Sequence, residues 1–541
     1  MSVIRCLAPL RKLNRKLANK HVLAGAAALL LWPGAGFIEP TQAQVNLPSL
    51  GDAVSERLGV GGERRLGDQI MREIRVDPDY IDDPLLLEYV QGLWRPLLAA
   101  ARHNGNIGPE TDERFAWEVF LVRDRNVNAF ALPGGFVGLH LGLIAITANR
   151  DELASVMAHE LSHVTQRHVA RRIASDSQQS MLAMAGMVLG LLAAARSNNV
   201  SAANAVVVGS QAASIQGSLN FSRDMEREAD RVGYGLLSEA GFATSGMASM
   251  FDKLEQAYNL SDSGSFPYLR THPMTSERIG DARMRLASRP SLAPASPLEH
   301  ALMQARAKVL MDPRAEAWQQ LQSLDAGGRQ QGIPERLGAL YASALASMKL
   351  RNWPRAEAAL NEAQTMAALI SGEPRVHRAL TLLRAELAQA RGEPKSGQQA
   401  LAPLAADRSR PVLLQRVQLA LLTSDTDLLQ QNAEALQTWV ALNPRDELAW
   451  LALGQLWERL GQPLRSVRAQ AESRVALDDL VGAIDRLRSG IRLSRGRDAD
   501  QVEAAVLESR LRTLQASRHQ ELQDLHPRRE VPQGADEPNS R

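Results

Sequence analysis

Cysteine is almost absent from this chain, which has one in 541 residues. That residue, Cys6, lies in residues 1–43, which have the three parts of a secretory signal peptide: basic residues, an apolar run from Val22 to Trp32, and the small-x-small cleavage site Thr41-Gln42-Ala43. Removal of this segment leaves a chain without thiols. Disulfides and thiolate ligands are therefore excluded, and any zinc site must use histidine and carboxylate side chains.

A charge excess of one sign is also missing, because 62 basic residues face 60 acidic ones and the net charge is +2. The sequence shows no basic footprint for nucleic acid, and we expect no nucleic-acid partner. Aromatic residues make up only 4% of the chain, while Leu and Ala dominate. This composition is typical of a mostly helical protein, and the length predicts two or more domains.

Beyond the N-terminus there is no apolar run long enough to cross a bilayer. The uncharged stretch Met181–Ala195 falls short of the roughly 20 residues that a spanning helix needs. Residues 181–216 are rich in Met, Ala and Ser. They predict either a lid over an active site or a contact with the membrane surface, and a plain buried core helix is the alternative.

The motif that carries most information is H-E-x-x-H, written here as His159-Glu160-Leu161-Ser162-His163. It lies in a stretch from Asp151 to Arg172 that has no Gly or Pro and predicts one continuous helix. Two histidines four positions apart share a helical face, so both can present a ring nitrogen to one zinc ion. Glu160 lies beside them and can take a proton from water, as in metalloproteases.

The next histidine does not supply a third ligand. A metzincin would continue H-E-x-x-H-x-x-G-x-x-H, but here Gln166 takes the glycine position and Val169 the histidine position. His168 is one residue away from that position. We expect it to be a solvated or hydrogen-bonded surface residue, so the third ligand must come from another element.

A second acidic helix offers that ligand. It begins at Ser222, a residue typical of an N-cap, and ends near Gly241. Glu226 could bind zinc, and Asp230, four residues later on the same face, could accept a hydrogen bond from a ligand imidazole. Glu228 points about 200° away from Glu226 around the helix. A solvated charged helix is the alternative, and the upstream H-E-x-x-H favours zinc.

Strand signals precede the zinc helix. The β-prone segments Ala116–Val122, Asn128–Leu132 and Phe136–Leu141 predict strands, and the last two flank the turn Pro133-Gly134-Gly135. The sequence therefore predicts a small sheet that contains a hairpin.

Three of these segments, Asn128–Gly135, His159–His163 and Ser222–Asp230, resemble successive signatures of one family. This is the zinc peptidase family of the CAAX prenyl proteases and the HtpX heat-shock protease, and the resemblance covers about residues 60–285. It implies one zinc ion per chain, held by His159, His163 and Glu226, with Glu160 as catalytic base. Asp230, placed by its spacing from Glu226, is the second catalytic candidate. The resemblance also places the hairpin beside the metal, where an edge strand would pair with the backbone of a substrate. A hairpin that only completes the sheet is the alternative.

The resemblance further implies a self-inhibited site. His272, in Thr271-His272-Pro273, follows the Gly- and Ser-rich run Ser261–Ser265. In similar proteins a histidine in this context can occupy the open zinc position, and substrate entry then requires the segment to move. A surface histidine at a helix boundary is the alternative.

The predicted fold is mainly α. We expect a gluzincin-like α+β zinc metalloprotease domain at residues 44–290 and a Pro-rich linker at 290–297. A tetratricopeptide α-solenoid would follow at 298–500, because the turn Asn352-Trp353-Pro354, then Trp450 with Gly454, and Ala483 with Gly490 fit a period near 34 residues. Residues 526–541 are polar and Pro-rich, and we expect them to be disordered.

Two function classes follow. The resemblance, above all to a soluble bacterial branch with a helical-repeat tail, implies a periplasmic zinc endopeptidase that acts on misfolded or stalled outer-membrane proteins. Its repeats would dock substrates or the outer-membrane assembly machinery, and chaperone activity would accompany proteolysis. The alternative is a chaperone or assembly scaffold whose zinc site is secondary. The complete ligand set and Glu160 favour the first class.

Overall fold

The computed structural model of the protein describes residues 59–175, 222–260, 267–288, 292–327, 332–495 and 500–525. The predicted signal peptide at 1–43, the whole of the predicted lid or membrane contact at 181–216, the run Ser261–Ser265 and the tail at 526–541 lie outside these residues. In the described part of the chain, no helix is both long enough and apolar enough to cross a membrane.

The described residues are mostly helical, with one small sheet, as the sequence predicts. The N-terminal half contains the following elements in chain order: α1 (Val60–Arg75), β1 (Tyr80–Ile81), α2 (Pro84–His103), α3 (Pro109–Arg114), β2 (Glu118–Val122), β3 (Ala129–Leu132), β4 (Phe136–His140), α4 (Leu141–Ile146), α5 (Arg150–Thr165), α6 (His168–Ser175), α7 (Arg223–Glu239), α8 (Ser245–Leu260), α9 (Tyr268–Thr271) and α10 (Ser276–Ser288).

Helices dominate the C-terminal half as well. They are α11 (Leu298–Leu310), α12 (Ala315–Gln322), α13 (Ile333–Lys349), α14 (Trp353–Ala368), α15 (Pro374–Ala390), α16 (Pro394–Ala400), α17 (Arg410–Leu421), α18 (Thr426–Leu442), α19 (Glu447–Arg459), α20 (Pro463–Ala476), α21 (Leu480–Leu493) and α22 (Gln501–Leu525), with short 3-10 turns at Ser323–Ala326 and Ala402–Leu404.

The sheet has the strand order β1-β2-β4-β3. Strands β2 and β4 are parallel, while β3 and β4 form the predicted antiparallel hairpin. Gly134 and Gly135 turn it with φ of 79° and 90°, which glycine adopts at no steric cost. Strand β4 is an inner strand and is buried along its whole length. Strand β3 is the last strand in this order, so it lies at the edge of the described sheet, next to the H-E-x-x-H helix α5.

Helix α5 begins at Asn149, whose side chain accepts the backbone N–H groups of Asp151 and Glu152. The helix is buried on all sides rather than along one stripe, so its polar side chains must find partners or carry a function. The predicted continuous helix to Arg172 is wrong: α5 ends at Thr165, and Arg167 turns the chain with a φ of +51° before α6 begins.

Helix α7 crosses α5 at a very short distance. Its Gly233 faces the backbone of Ala158, where an added Cβ would lie 3.2 Å from the carbonyl carbon and oxygen. A side chain at this position would push the helices apart. Glycine thus brings the acidic first turns of α7 against the histidines of α5.

The C-terminal helices pack against their neighbours in the sequence, and the contacts of α13 with α14 and of α19 with α20 are the most extensive. The capping side chain of Asn352 starts α14, at the turn that the sequence indicates. Trp457 is fully buried and Gly454 packs against α20. The array continues through α22, past residue 500, and its assignment to tetratricopeptide repeats stays a prediction.

The helical array shares a core with the N-terminal half of the described chain. Leu302 and Met303 of α11 are buried in the same apolar cluster as Leu153 and Leu161 of α5. Three array arginines also reach the acidic start of α2. Arg306 pairs with Asp83 at 2.7 Å, Arg378 with Glu88 at 2.6 Å, and Arg410 donates to Asp82 at 2.6 Å.

Candidate functional site

Four side chains meet at the contact between α5 and α7. His159, His163, Glu226 and His272 each offer a ligand atom, and these atoms all lie within 4.8 Å of one another. All four residues are buried. The structure therefore brings together the three residues that the sequence assigns to zinc and the histidine that it assigns to the open position.

The distances within the cluster fit a tetrahedral metal site. The Nε2 atoms of His159 and His163 face each other at 3.0 Å. The carboxylate of Glu226 lies 3.5 Å from Nε2 of His159 and 3.4 Å from Nε2 of His163. Ligand atoms about 2.0–2.1 Å from a tetrahedral zinc are themselves separated by about 3.3 Å. The donor set of two imidazoles and a carboxylate is one that zinc prefers.

The charges around the cluster lead to the same fit. Glu160, Glu226 and Asp230 are buried carboxylates, and the guanidinium of Arg278 lies among them. The three carboxylates and the one guanidinium together carry a net charge of −2, which a divalent cation would neutralise. Buried charges are costly unless they are paired, so the residues present suit a dication.

Asp230 holds the first ligand histidine. Its Oδ1 lies 2.9 Å from Nδ1 of His159, the carboxylate–histidine arrangement that fixes a metal-binding tautomer. Burial opposes ionisation of Asp230, but Arg278 outweighs it and lowers the pKa of Asp230 to about 2. Likewise, burial disfavours charged His159, yet contacts with Asp230 and Glu226 raise its pKa to about 10. The pocket thus attracts positive charge, whether a proton or a metal ion.

Glu160 is fully buried, and neither of its carboxylate oxygens has a hydrogen-bond partner among the described residues. Nε2 of His272 lies 3.6 Å from Oε1 of Glu160, which is too far for a hydrogen bond. A buried carboxylate without partners is costly and calls for an explanation. A base that takes protons from a water molecule in this cavity is such an explanation.

His272 lies at the open corner of the cluster. Its Nδ1 is 3.0 Å from Oε1 of Glu226 and 3.3 Å from Nε2 of His159. The ring is buried and stacks on Tyr268, with ring centroids 4.6 Å apart. His272 is therefore not a surface residue, although it does end the short helix α9.

Arg278 is the functional candidate that the sequence reasoning missed. It donates two hydrogen bonds to Asp230, at 2.7 and 2.8 Å, and its Nη1 lies 2.8 Å from Oε2 of Glu226. Its Nη1 also donates to the carbonyl of Pro273, and Phe251 covers the guanidinium. The sequence did predict that the carboxylates of Glu160, Glu226 and Asp230 lie in one pocket. Three buried carboxylates require a buried cation nearby, and this requirement could have directed the search to an arginine.

The expectation that His168 lies at the surface is wrong. His168 is completely buried, with Nδ1 2.9 Å from Nδ1 of His163 and Nε2 3.0 Å from Oε2 of Glu228. The cause is the turn at Arg167, which folds α6 back beneath α5. Glu228 does point away from Glu226, as its position on α7 predicts, and Arg171 donates to it at 3.1 Å.

Burial lowers the pKa of both His168 and His163. For His168, burial outweighs the opposing effect of Glu228 on the pKa. Burial and the neighbouring His159 hold the pKa of His163 well below its ordinary value. Neutral His163 keeps a lone pair available for a metal ion.

Comparisons with known proteins agree with this site. Residues 99–286 match the profile of Peptidase family M48. This range contains the cluster, the edge strand and Arg278, and the match confirms the family resemblance that the three motifs indicate.

Curated relatives extend the match. The β-barrel assembly-enhancing protease of Escherichia coli is 31% identical over 329 residues, which cover 61% of this chain and 63% of that protein. The protease of the same name from Yersinia pestis is 35% identical over 45% of this chain and 48% of its own length. The mitochondrial metalloendopeptidase OMA1 of Saccharomyces cerevisiae is 28% identical over 35% of this chain and 53% of its own length. The chain thus spans about half to just under two thirds of these relatives.

Proposed function

We propose that the protein, whose residues 99–286 match the profile of Peptidase family M48, is a zinc-dependent endopeptidase. The proposal rests on the buried cluster of His159, His163 and Glu226. Beside it lies the carboxylate of Glu160, which has no hydrogen-bond partner among the described residues. A site of this composition, with one position open to water or substrate, is typical of catalytic rather than structural zinc.

Each residue has a defined role in peptide hydrolysis. Zinc held by His159, His163 and Glu226 would polarise the scissile carbonyl and make a bound water more acidic. Glu160 would accept a proton from the attacking water as its oxygen bonds to the carbonyl carbon, and would pass that proton to the amide nitrogen as the C–N bond breaks. Asp230 holds the His159 ring in place, and Arg278 keeps Asp230 ionised and orients the carboxylates of Asp230 and Glu226.

The edge strand β3 would bind the substrate in an extended conformation. Within the described residues β3 pairs only with β4, and it packs beside α5. An extended polypeptide could add to this edge through main-chain hydrogen bonds, which tolerate many side chains. The proposed substrates are therefore unfolded segments, and the names of the bacterial relatives favour outer-membrane β-barrel proteins.

His272 acts as an inhibitory cap in this proposal. Its ring fills the corner where water or the substrate carbonyl must bind. Substrate entry therefore requires His272 and the stacked Tyr268 to move together. This arrangement would spare folding intermediates until a substrate displaces the cap.

The proposed location and partners are supported by the predicted signal peptide and by the names of the bacterial relatives. We place the protein in the periplasm, where the β-barrel assembly-enhancing proteases would meet their substrates. The helical array would dock outer-membrane substrates or the assembly machinery, as stacked helical repeats do in other proteins. A chaperone or scaffold with a secondary zinc site is the alternative, since the array makes up a large part of the chain.

The decisive experiment compares the wild type with Glu160→Gln. The amide cannot accept a proton, so cleavage of unfolded casein should fall by about 10²–10⁴-fold. The variant should still bind one zinc ion, measured by elemental analysis, because Glu160 is not a proposed ligand. Absence of zinc from the wild type, or full activity in the variant, would refute the proposal. A phenotype in outer-membrane assembly that Glu160→Gln leaves intact would favour the scaffold alternative.

A further inference from the structure

The two ligand histidines of α5 are held in different ways. His159 has the carboxylate of Asp230 against its outer nitrogen, at 2.9 Å. Among the described residues, no carboxylate takes that place beside His163. Its outer nitrogen, Nδ1, lies 2.9 Å from Nδ1 of His168. A ligand histidine that is backed by a second histidine needs a separate explanation of how its tautomer is fixed.

The hydrogen-bond partners determine the position of every proton in this chain of contacts. Oε2 of Glu228 can only accept, so Nε2 of His168, 3.0 Å away, must donate. A neutral imidazole that donates from Nε2 carries a lone pair on Nδ1. Nδ1 of His163 must therefore be the donor across the 2.9 Å contact. This leaves Nε2 of His163 with a lone pair, directed at Nε2 of His159 and at Glu226.

The backbone is arranged to make this contact. On a continuous helix, residue 168 would lie about 140° around from residue 163 and could not face its ring. Arg167 instead adopts a left-handed conformation, at a cost of about 1–2 kcal/mol for a residue other than glycine. The side chain of Arg167 donates to buried Glu63 of α1 at 2.9 Å, which fixes the turn. Arg171, one turn later, donates to Glu228 and holds its carboxylate toward His168.

We infer that His168 is a positioning residue that, together with Glu228, fixes the zinc-binding tautomer and ring orientation of His163. His168 does not touch the metal position or the substrate. It acts through His163, in the way that Asp230 acts through His159. The inference rests on the proposed zinc site, because it concerns the state of one of its ligands.

Zinc affinity tests this inference independently of activity. In His168→Phe a ring of similar size remains, but the acceptor for His163 is lost. Zinc affinity, measured by competition with a chromophoric chelator, should fall by about 10–100-fold, as is usual when the partner of a ligand histidine is removed. His168→Gln restores an acceptor for His163 and a donor for Glu228, so its affinity should stay closer to that of the wild type. His377→Phe, at an exposed position of α15, is the matched control and should bind zinc as the wild type does.

A second variant guards against a folding defect. The side chain of Glu228 is about one third exposed, at 31%, so Glu228→Ala should fold. It should weaken zinc binding by a smaller factor, because His168 can then exchange tautomers. The melting temperature of each metal-free variant separates positioning from a structural role: positioning lowers zinc affinity and leaves the metal-free protein as stable as before.

The outcomes separate this inference from the proposed function. If the wild type binds no zinc, the proposed function fails. If the wild type binds zinc and Glu228→Ala binds it equally well, His168 does not position His163 and the inference fails. An unchanged affinity in a folded His168→Phe variant would overturn it as well.

Discussion

Acid should lower the free energy of unfolding of the protein by protonating one histidine, which lies where the helical array packs against the protease region. His300 of α11 is almost completely buried. Its Nδ1 lies 2.7 Å from the hydroxyl of Tyr89 in α2, and its Nε2 lies 2.9 Å from the carbonyl of Thr147 after α4. The carbonyl can only accept, so Nε2 donates and the neutral ring satisfies both partners.

The size of the effect follows from the pKa of this ring. Burial lowers the pKa of His300 from 6.5 to about 4, although its contact with Thr147 opposes the shift. The unfolded chain takes up a proton as pH falls through about 6.5, whereas the folded protein does not until about pH 4. Folding stability due to neutral His300 is therefore present above pH 6.5 and is lost progressively below it. Between about pH 7.5 and pH 5 the loss should be about 2 kcal/mol.

The assay compares pH dependence rather than absolute stability. Urea unfolding of the zinc-saturated wild type and of His300→Gln at about pH 7.5 and pH 5 gives two free-energy differences. The glutamine cannot titrate, so its loss between the two pH values should be smaller by about 2 kcal/mol. All other titrating groups cancel in this comparison. His377→Gln, an exposed histidine in the array, should behave like the wild type. Equal pH dependence in His300→Gln and the wild type would refute the reasoning.

Two further predictions concern the zinc cluster. His272→Ala should retain zinc and cleave casein faster than the wild type, with more self-cleavage, because the cap is removed; loss of zinc or of activity would instead make His272 a structural or catalytic residue. Arg278→Met leaves Asp230 and Glu226 buried without their counter-ion, so the free energy of unfolding of the metal-free protein should fall by about 3–5 kcal/mol. Urea titration measures this loss, and a fall below about 1 kcal/mol would show that Arg278 is not needed to balance the charges.

Local sequence patterns were sufficient where the chemistry lies on one element or follows from spacing. The four-residue spacing of His159 and His163 put both rings on one helical face, and that of Glu226 and Asp230 did the same on α7. The glycine pair in Pro133-Gly134-Gly135 indicated the hairpin turn, which has the positive φ angles that glycine permits. These are short-range constraints, and periodicity reveals them.

Contacts between distant segments could not be read from such patterns. Arg278 lies 48 residues after Asp230, and nothing in its own neighbourhood indicates burial. His168 was misplaced because the absence of Gly and Pro predicted a continuous helix. The turn at Arg167 depends on Glu63, which lies 104 residues earlier. Tertiary contacts overrode local preference there, and only the fold reveals them.

The shared core also decides how docking by the array can be tested. The Pro-rich linker at 290–297 invites truncation, but removal of the array would uncover the contacts of α11 and leave Asp83 buried without Arg306. A buried carboxylate that loses its partner costs about 3–5 kcal/mol. Loss of activity in a truncated protein would therefore report unfolding of the protease region rather than loss of docking.

A point variant in the full-length chain avoids this problem. A groove of about 980 Å³ between α16 and α18 is lined by polar and apolar side chains, and the apolar ones include Leu401, Leu428 and Leu442. Leu442 is 77% exposed, so Leu442→Asp should not disturb the core. If the array docks partners through this groove, the variant should lose retention of the purified outer-membrane assembly machinery while casein cleavage stays unchanged. Leu369→Asp, 86% exposed on the array outside the groove, is the matched control. Equal retention by both variants would exclude this groove as the docking surface, and a parallel loss in both would attribute the effect to added charge.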